Sequence, residues 1–208
     1  MRRSYELVRF RLQPIGALLY GALWLGAFSA PTDAHAQAAR AGGVWWSGSV
    51  AAAGARLACD VCDPTRDAGP AVEVAAGTYA SPSVRVGLDG GAWTFRDDDF
   101  RETVYTVGAV TEVYPRAGSG LHVIAGLGWT GYRANDVDAP DDQLGFHYNA
   151  LRLRVGAGWD FPLTSGWSVG NRVTLDASSL GTLSDEGQPI ATSVGLSLVR
   201  FGIYLRYR

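Results

Sequence analysis

Apolar and polar residues alternate with a period of two through most of this chain of 208 residues. The last stretch is the clearest. Val199, Phe201, Ile203, Leu205 and Tyr207 fall on one face, and Arg200, Gly202, Tyr204 and Arg206 on the other. A helix would scatter these residues round its circumference, whereas a strand separates them. The same separation sets Leu151, Leu153, Val155, Ala157 and Trp159 against Arg152, Arg154, Gly156, Gly158 and Asp160. It sets Trp167, Val169, Val173 and Leu175 against Ser168, Arg172, Thr174 and Asp176. Val84, Val86 and Leu88 oppose Arg85, Gly87 and Asp89, while Val72 and Val74 oppose Glu73. Tyr105, Val107 and Val113 oppose Thr106, Gly108 and Glu112, and Leu121, Leu127 and Trp129 oppose His122, Gly126 and Gly128.

The pattern predicts eight strands, over 43–58, 70–80, 83–96, 101–114, 120–133, 144–160, 166–178 and 191–207. The last carries a parity conflict: Val194, Leu196 and Leu198 are apolar but out of phase with Val199 to Tyr207. Either a bulge switches the phase or one end of the structure has an apolar interior layer. The connections alternate between long or acidic segments (CDVCDPTRDAG, DDDF, NDVDAPDDQL, SSLGTLSDEGQPI) and short turns (SP, PRAGSG, FPLTSG). A closed antiparallel meander with two unlike rims produces that rhythm.

The first 36 residues stand apart from this pattern. Arg2, Arg3, Arg9 and Arg11 precede the apolar run IGALLYGALWLGAFSA at 15–30, and Ala34 and Ala36 then supply the small residues of a cleavage site. That order predicts an export signal over 1–36, cleaved after Ala36. The run is 16 residues, short of the roughly 20 that a membrane-spanning helix needs. The domain is expected to occupy 37–208.

Composition decides which face meets lipid. Among 27 Gly, 7 Trp and 9 Tyr there is no Lys, and all 18 basic residues are Arg. The formal net charge of -2, with no basic cluster in the mature part, gives no footprint for nucleic acid. Glu73, Arg85, Asp89, Glu112, Arg152, Arg154, Arg172, Asp176, Arg200 and Arg206 all share the polar phase. In a barrel whose apolar face contacts lipid, these ten line the interior and pair there as a structural charge network. Glycines give bulky inward side chains their room. Trp45, Trp46, Trp93, Trp129, Trp159, Trp167, Tyr79, Tyr105, Tyr114 and Tyr207 collect near strand ends, where interfacial girdles are expected. The predicted fold is all-β: an eight-stranded antiparallel up-and-down transmembrane β-barrel. A soluble barrel with an apolar lumen is the competing arrangement.

On the export signal, the eight alternating segments, the connection rhythm and the terminal VRFGIYLRYR, the chain resembles the small outer-membrane β-barrel proteins that include the OmpA membrane domain and OmpX. The resemblance covers essentially all of 37–208. It implies residence in the bacterial outer membrane, with long loops outside and both termini in the periplasm. It further implies contact with outer-membrane lipid and lipopolysaccharide, and handling by the outer-membrane assembly machinery. Family members end on a terminal aromatic, whereas here Tyr207 is penultimate and Arg208 last. A monomer is expected. Activities in the family range from anchoring to adhesion and lipid modification, so none follows from the fold alone.

Candidate chemistry is sparse. Cys59 and Cys62 sit in a predicted outer loop, where an exported chain is expected to pair them as a disulfide; a metal site would need ligands from Asp60, Asp63 or Asp67, or from His122 or His147 placed below that loop. Thioredoxin-like chemistry needs CxxC at a helix start, which the DPTRDAGP context opposes. The deacylase type of barrel enzyme resembles a His-x-Ser pair on one strand; here the sequence has His122-Val-Ile and His147-Tyr-Asn, and Ser178, Ser179 and Ser184 read as loop residues without a partner. The acidic groups Asp97 to Asp99 and Asp136, Asp138, Asp141 and Asp142 lack an EF-hand pattern and read as solvated loops. No enzyme and no cofactor are expected. The function that follows is a structural or surface-interaction role through the loops, with a lipid-modifying enzyme or a small-ligand barrel as the alternative.

Overall fold

The computed structural model describes residues 43–59, 62, 65–97, 100–116, 119–136, 145–185 and 188–208. The export signal expected over 1–36 lies outside them. Eight strands follow in chain order: β1 (Val44–Ala58), β2 (Asp67–Ser81), β3 (Val84–Arg96), β4 (Phe100–Val113), β5 (Leu121–Asp136), β6 (Gly145–Pro162), β7 (Trp167–Asp185) and β8 (Gln188–Tyr207). Each pairs antiparallel with its sequence neighbour, and β8 returns to pair with β1, closing the barrel. Closure leaves no unpaired strand edge along the wall, the one arrangement in which a sheet can stand in lipid.

Alternation decides the two faces. Val50, Val74, Leu88, Val107, Leu127, Leu153, Val173 and Ile203 point outward and are exposed. The opposite phase is buried inside. A one-residue slip would exchange these sets, so the pattern also fixes the register.

One rim carries both ends of the barrel strands and the connections 82–83, 114–120 and 163–166; the other carries 59–66, 97–99, 137–144 and 186–187. We call them the terminal rim and the loop rim. Connection length separates them less cleanly than expected, because the turn over 114–120 outlasts the one over 97–99. The largest departure is SSLGTLSDEGQPI. In place of a long loop, β7 and β8 continue as a ladder to the pair Asp185 and Gln188, with register shifts near Ser179, Gly181 and Leu183. Gly181 takes φ +82° there, a left-handed backbone that glycine adopts without strain. Ser178, Ser179 and Ser184 are therefore strand residues, and the Ser178 hydroxyl donates to Thr130 Oγ1 at 2.9 Å.

The parity conflict in β8 has a simple resolution. Its ladder with β1 runs without a shift from Trp46 and Tyr207 to Ala58 and Gly195. Val194, Leu196 and Leu198 hence keep the inward phase of Arg200 and Arg206, and all three are buried. They belong to an apolar interior layer near the loop rim.

The expected aromatic girdle is only partly a girdle. Trp46, Trp159, Tyr105, Trp129 and Tyr207 face outward and are exposed. Trp46, Trp167 and Tyr207 pack at the terminal rim with centroids 5.1–6.1 Å apart, over the strands that close the barrel. Trp45, Trp93, Tyr79 and Tyr114 instead lie buried inside. Parity explains it: Trp93 shares the phase of Asp89, and Tyr79 that of Glu73.

Candidate functional site

The chemistry of this chain gathers in the lumen, in three layers. Nearest the terminal rim, Arg206 reaches Glu112 and meets Asp160 at 3.0 Å, while Arg85 lies 3.3 Å from Asp160 and 3.5 Å from Glu112. Asp160 also accepts from Tyr204 and, at 2.7 Å, from Tyr114. Tyr114 follows the last residue of β4, and burial pushes its hydroxyl well above the ordinary phenol range. Arg206 pulls it down and Asp160 and Glu112 push it up again, so it stays a donor. The His122 ring packs against Tyr114, with centroids 5.1 Å apart and planes tilted by 31°, and lies 3.2 Å from the Gly120 carbonyl.

The middle layer holds four arginines against three carboxylates. Arg154 meets Glu73 at 2.9 Å, Asp89 at 2.6 Å and Asp176 at 2.8 Å. Arg152 lies 2.7 Å from Asp89. Arg172 and Arg200 both reach Glu73, at 2.9 and 3.0 Å, and Arg200 also reaches Asp176 at 2.8 Å. Ions so buried persist only when close pairing and further hydrogen bonds offset the loss of water. Glycine opens the space: a Cβ on Gly158 would stand 2.7 Å from His122 Nε2, and one on Gly87 2.9 Å from the Trp45 ring.

Above these lies the apolar layer, in which Trp93, Val104, Tyr132, Leu180, Val194, Leu196 and Leu198 pack with five buried alanines. A void bounded by Ser49, Glu73, Arg172, Thr174 and Arg200 measures about 10 Å³, at the lower limit of about 10–15 Å³ for one water.

All ten residues of the expected charge network are buried in the wall-enclosed interior. The structure adds an eleventh, Asp160, which shares the phase of Arg152 and Arg154 and joins Arg85 to Arg206. Its parity was the available signal. Cys59 and Cys62 form a disulfide just beyond β1, with the Cys62 amide donating to the Cys59 carbonyl at 3.4 Å. His122 is at the opposite rim, not below that loop, so it cannot join the cysteines at a metal. His147 belongs to β6, opposite Arg133. Among the described residues no three of His, Cys, Asp and Glu are grouped to hold a metal ion. The expectations on Asp60, Asp63, Asp98, Asp99, Asp138, Asp141 and Asp142 fall outside the described residues.

Residues 20–207 match the outer membrane protein beta-barrel domain family. The chain belongs to that family. Among solved structures it is similar to Neisserial surface protein A, at 14% identity and a TM-score of 0.52, covering 77% of this chain and 95% of that one. It is likewise similar to Ail, the attachment invasion locus protein of Yersinia pestis, at 12% identity and a TM-score of 0.53, covering 78% and 97%. Likeness at these identities carries the fold alone. No curated protein matches the chain in sequence. This outer-membrane barrel presents a packed lumen, a lipid-facing apolar wall and, among its described residues, no assembled catalytic group.

Proposed function

We propose that this barrel is a non-catalytic surface protein of the small OmpA and OmpX kind, acting through its loop rim and its outer wall. The export signal over 1–36 is removed after Ala36, the loop rim faces the exterior, and the termini lie in the periplasm. The barrel contacts outer-membrane lipid and lipopolysaccharide, passes through the assembly machinery during biogenesis, and works as a monomer. One observation carries this reading: among the described residues the lumen is occupied by two ionic layers and an apolar one. Interior filling of this kind is expected of eight strands.

The test has three parts. Purified folded protein is added to planar bilayers, where no stepwise conductance is expected. N-terminal sequencing of the membrane form should begin at Gln37. An epitope inserted between residues 140 and 141 should be labelled on intact cells, and one after Arg208 only after permeabilisation. Steady channel openings, or labelling of the C-terminal tag on intact cells, would sink the reading.

A further inference from the structure

The outer wall carries a groove of about 250 Å³ across β4, β5 and β6. Its floor is Gly131, which pairs with Tyr105 on one side and Asn149 on the other. Along β5 the outward positions read Trp129, Gly131, Arg133: an aromatic wall, a gap, then a cation. Trp129 is 62% and Tyr105 54% exposed, which puts two large amphipathic rings beside the gap on the wall that faces lipid.

The cation has neighbours. Arg101 faces Arg96 directly across β4 and β3, and both are exposed. Thr103 faces Arg133 and Arg101 faces Asn135, so Arg133 lies diagonally across from Arg101 on the same outer face. Asn135 Oδ1 accepts from Arg133 Nε at 3.1 Å, which orients that guanidinium. Like charges directly opposed on a sheet repel, and among the described residues neither Arg96 nor Arg101 has a carboxylate partner. A bound anion would offset that repulsion, and guanidinium matches a phosphate with paired donors.

Depth selects which anion. Arg133 is four residues beyond Trp129, about 13 Å along the strand at about 3.3 Å per residue, or about 9–10 Å along the membrane normal for a strand tilted by about 45°. Rings in the interfacial belt with arginines at that height match an acyl chain below and a phosphorylated headgroup above. We propose that this groove binds an acylated phosphoglycolipid of the outer leaflet, its phosphates on Arg96, Arg101 and Arg133 and its acyl chain against Tyr105 and Trp129 over Gly131. The proposal deepens the lipid contact proposed above and rests on the loop rim facing outward.

Native mass spectrometry of the folded full-length barrel in detergent tests it, with diphosphoryl lipid A as the probe. Retention of one lipid A is expected, with dephosphorylated lipid A at least about tenfold weaker. Neither phosphatidylglycerol nor inorganic phosphate should displace it at equal concentration. R96Q/R101Q/R133Q should keep the heat-modifiable gel band of a folded barrel and lose about tenfold in retention, the scale expected when charge-assisted contacts go. G131L, which fills the groove with every arginine intact, should lose a similar factor; should it not fold, the triple variant decides alone. Undiminished binding by the folded triple variant, equal binding of dephosphorylated lipid A, or displacement by either competitor would overturn the proposal. These readouts use purified protein, so they fail independently of the cell-surface labelling that tests orientation.

Discussion

Asp160 accepts hydrogen bonds from Tyr114 and Tyr204 and lies within ion-pair distance of Arg85, Arg206 and Arg208. Removing its charge leaves cations buried with too few partners, and breaking a buried pair in this way costs about 3–5 kcal/mol. D160N is therefore expected to lower the temperature at which the folded gel band converts to the unfolded one. E73Q should do the same, because Arg154, Arg172 and Arg200 all converge on Glu73. Arg116, exposed in the terminal-rim turn, makes a fair control: R116Q should stay within about 0.5 kcal/mol of the parent. Equal stability of D160N and R116Q would mean that the ionic layers are not what holds the barrel together. Two tryptophans give a second contrast. Trp93 is 1% exposed inside and Trp129 62% exposed outside. W93A should cost about 3–5 kcal/mol through the cavity it leaves, whereas W129A exchanges a ring for lipid contact and should cost much less. Urea unfolding in lipid vesicles would measure both.

At the level of strands, the eight elements were legible because burial on one face and lipid on the other force a strict period of two. Bounds agree within about two residues except at β2, β5 and the β7–β8 ladder, whose extensions leave the lipid-facing wall behind. Beyond Ser178 and Gly195 that ladder has only its own two strands, since β6 stops pairing at Arg152 and β1 at Ala58. There neither face is dictated by lipid or lumen, and backbone pairing continues through a composition that reads as a turn. The buried aromatics were legible for a different reason. Their phase placed Trp93 and Tyr79 inside, and only the general expectation of a girdle pointed outward. The isolation of the ribbon gives a third prediction. Deleting Leu183–Ile190 and joining the ends through Gly-Ser should leave a folded, heat-modifiable barrel, with stability lowered by no more than about 1 kcal/mol. Leu180 and Val194 remain, and with them the apolar layer. Loss of the folded band on this deletion would show that the ribbon supports the closure of the barrel.

For the whole molecule, the layers act as barriers in series. Among the described residues, the ionic layers run through the lumen from the terminal rim to Arg152 and Arg154, and the apolar layer lies across it beneath the loop rim. An apolar constriction excludes ions by refusing water even where it is not fully packed. Opening one layer should then not open the barrel. R152A/R154A/D89A/D176A removes two cations and two anions from the middle layer and should admit water there, while planar bilayers still record no steps. W93A/L196A/L198A thins the apolar layer and leaves the ionic one shut. Conductance steps are expected only when the two sets are combined, in protein whose gel mobility shows it folded. Steps from the charge-deleted variant alone would mean that Trp93, Leu196 and Leu198 do not seal the lumen. The barrel's resistance to solutes would then rest on the ion pairs by themselves.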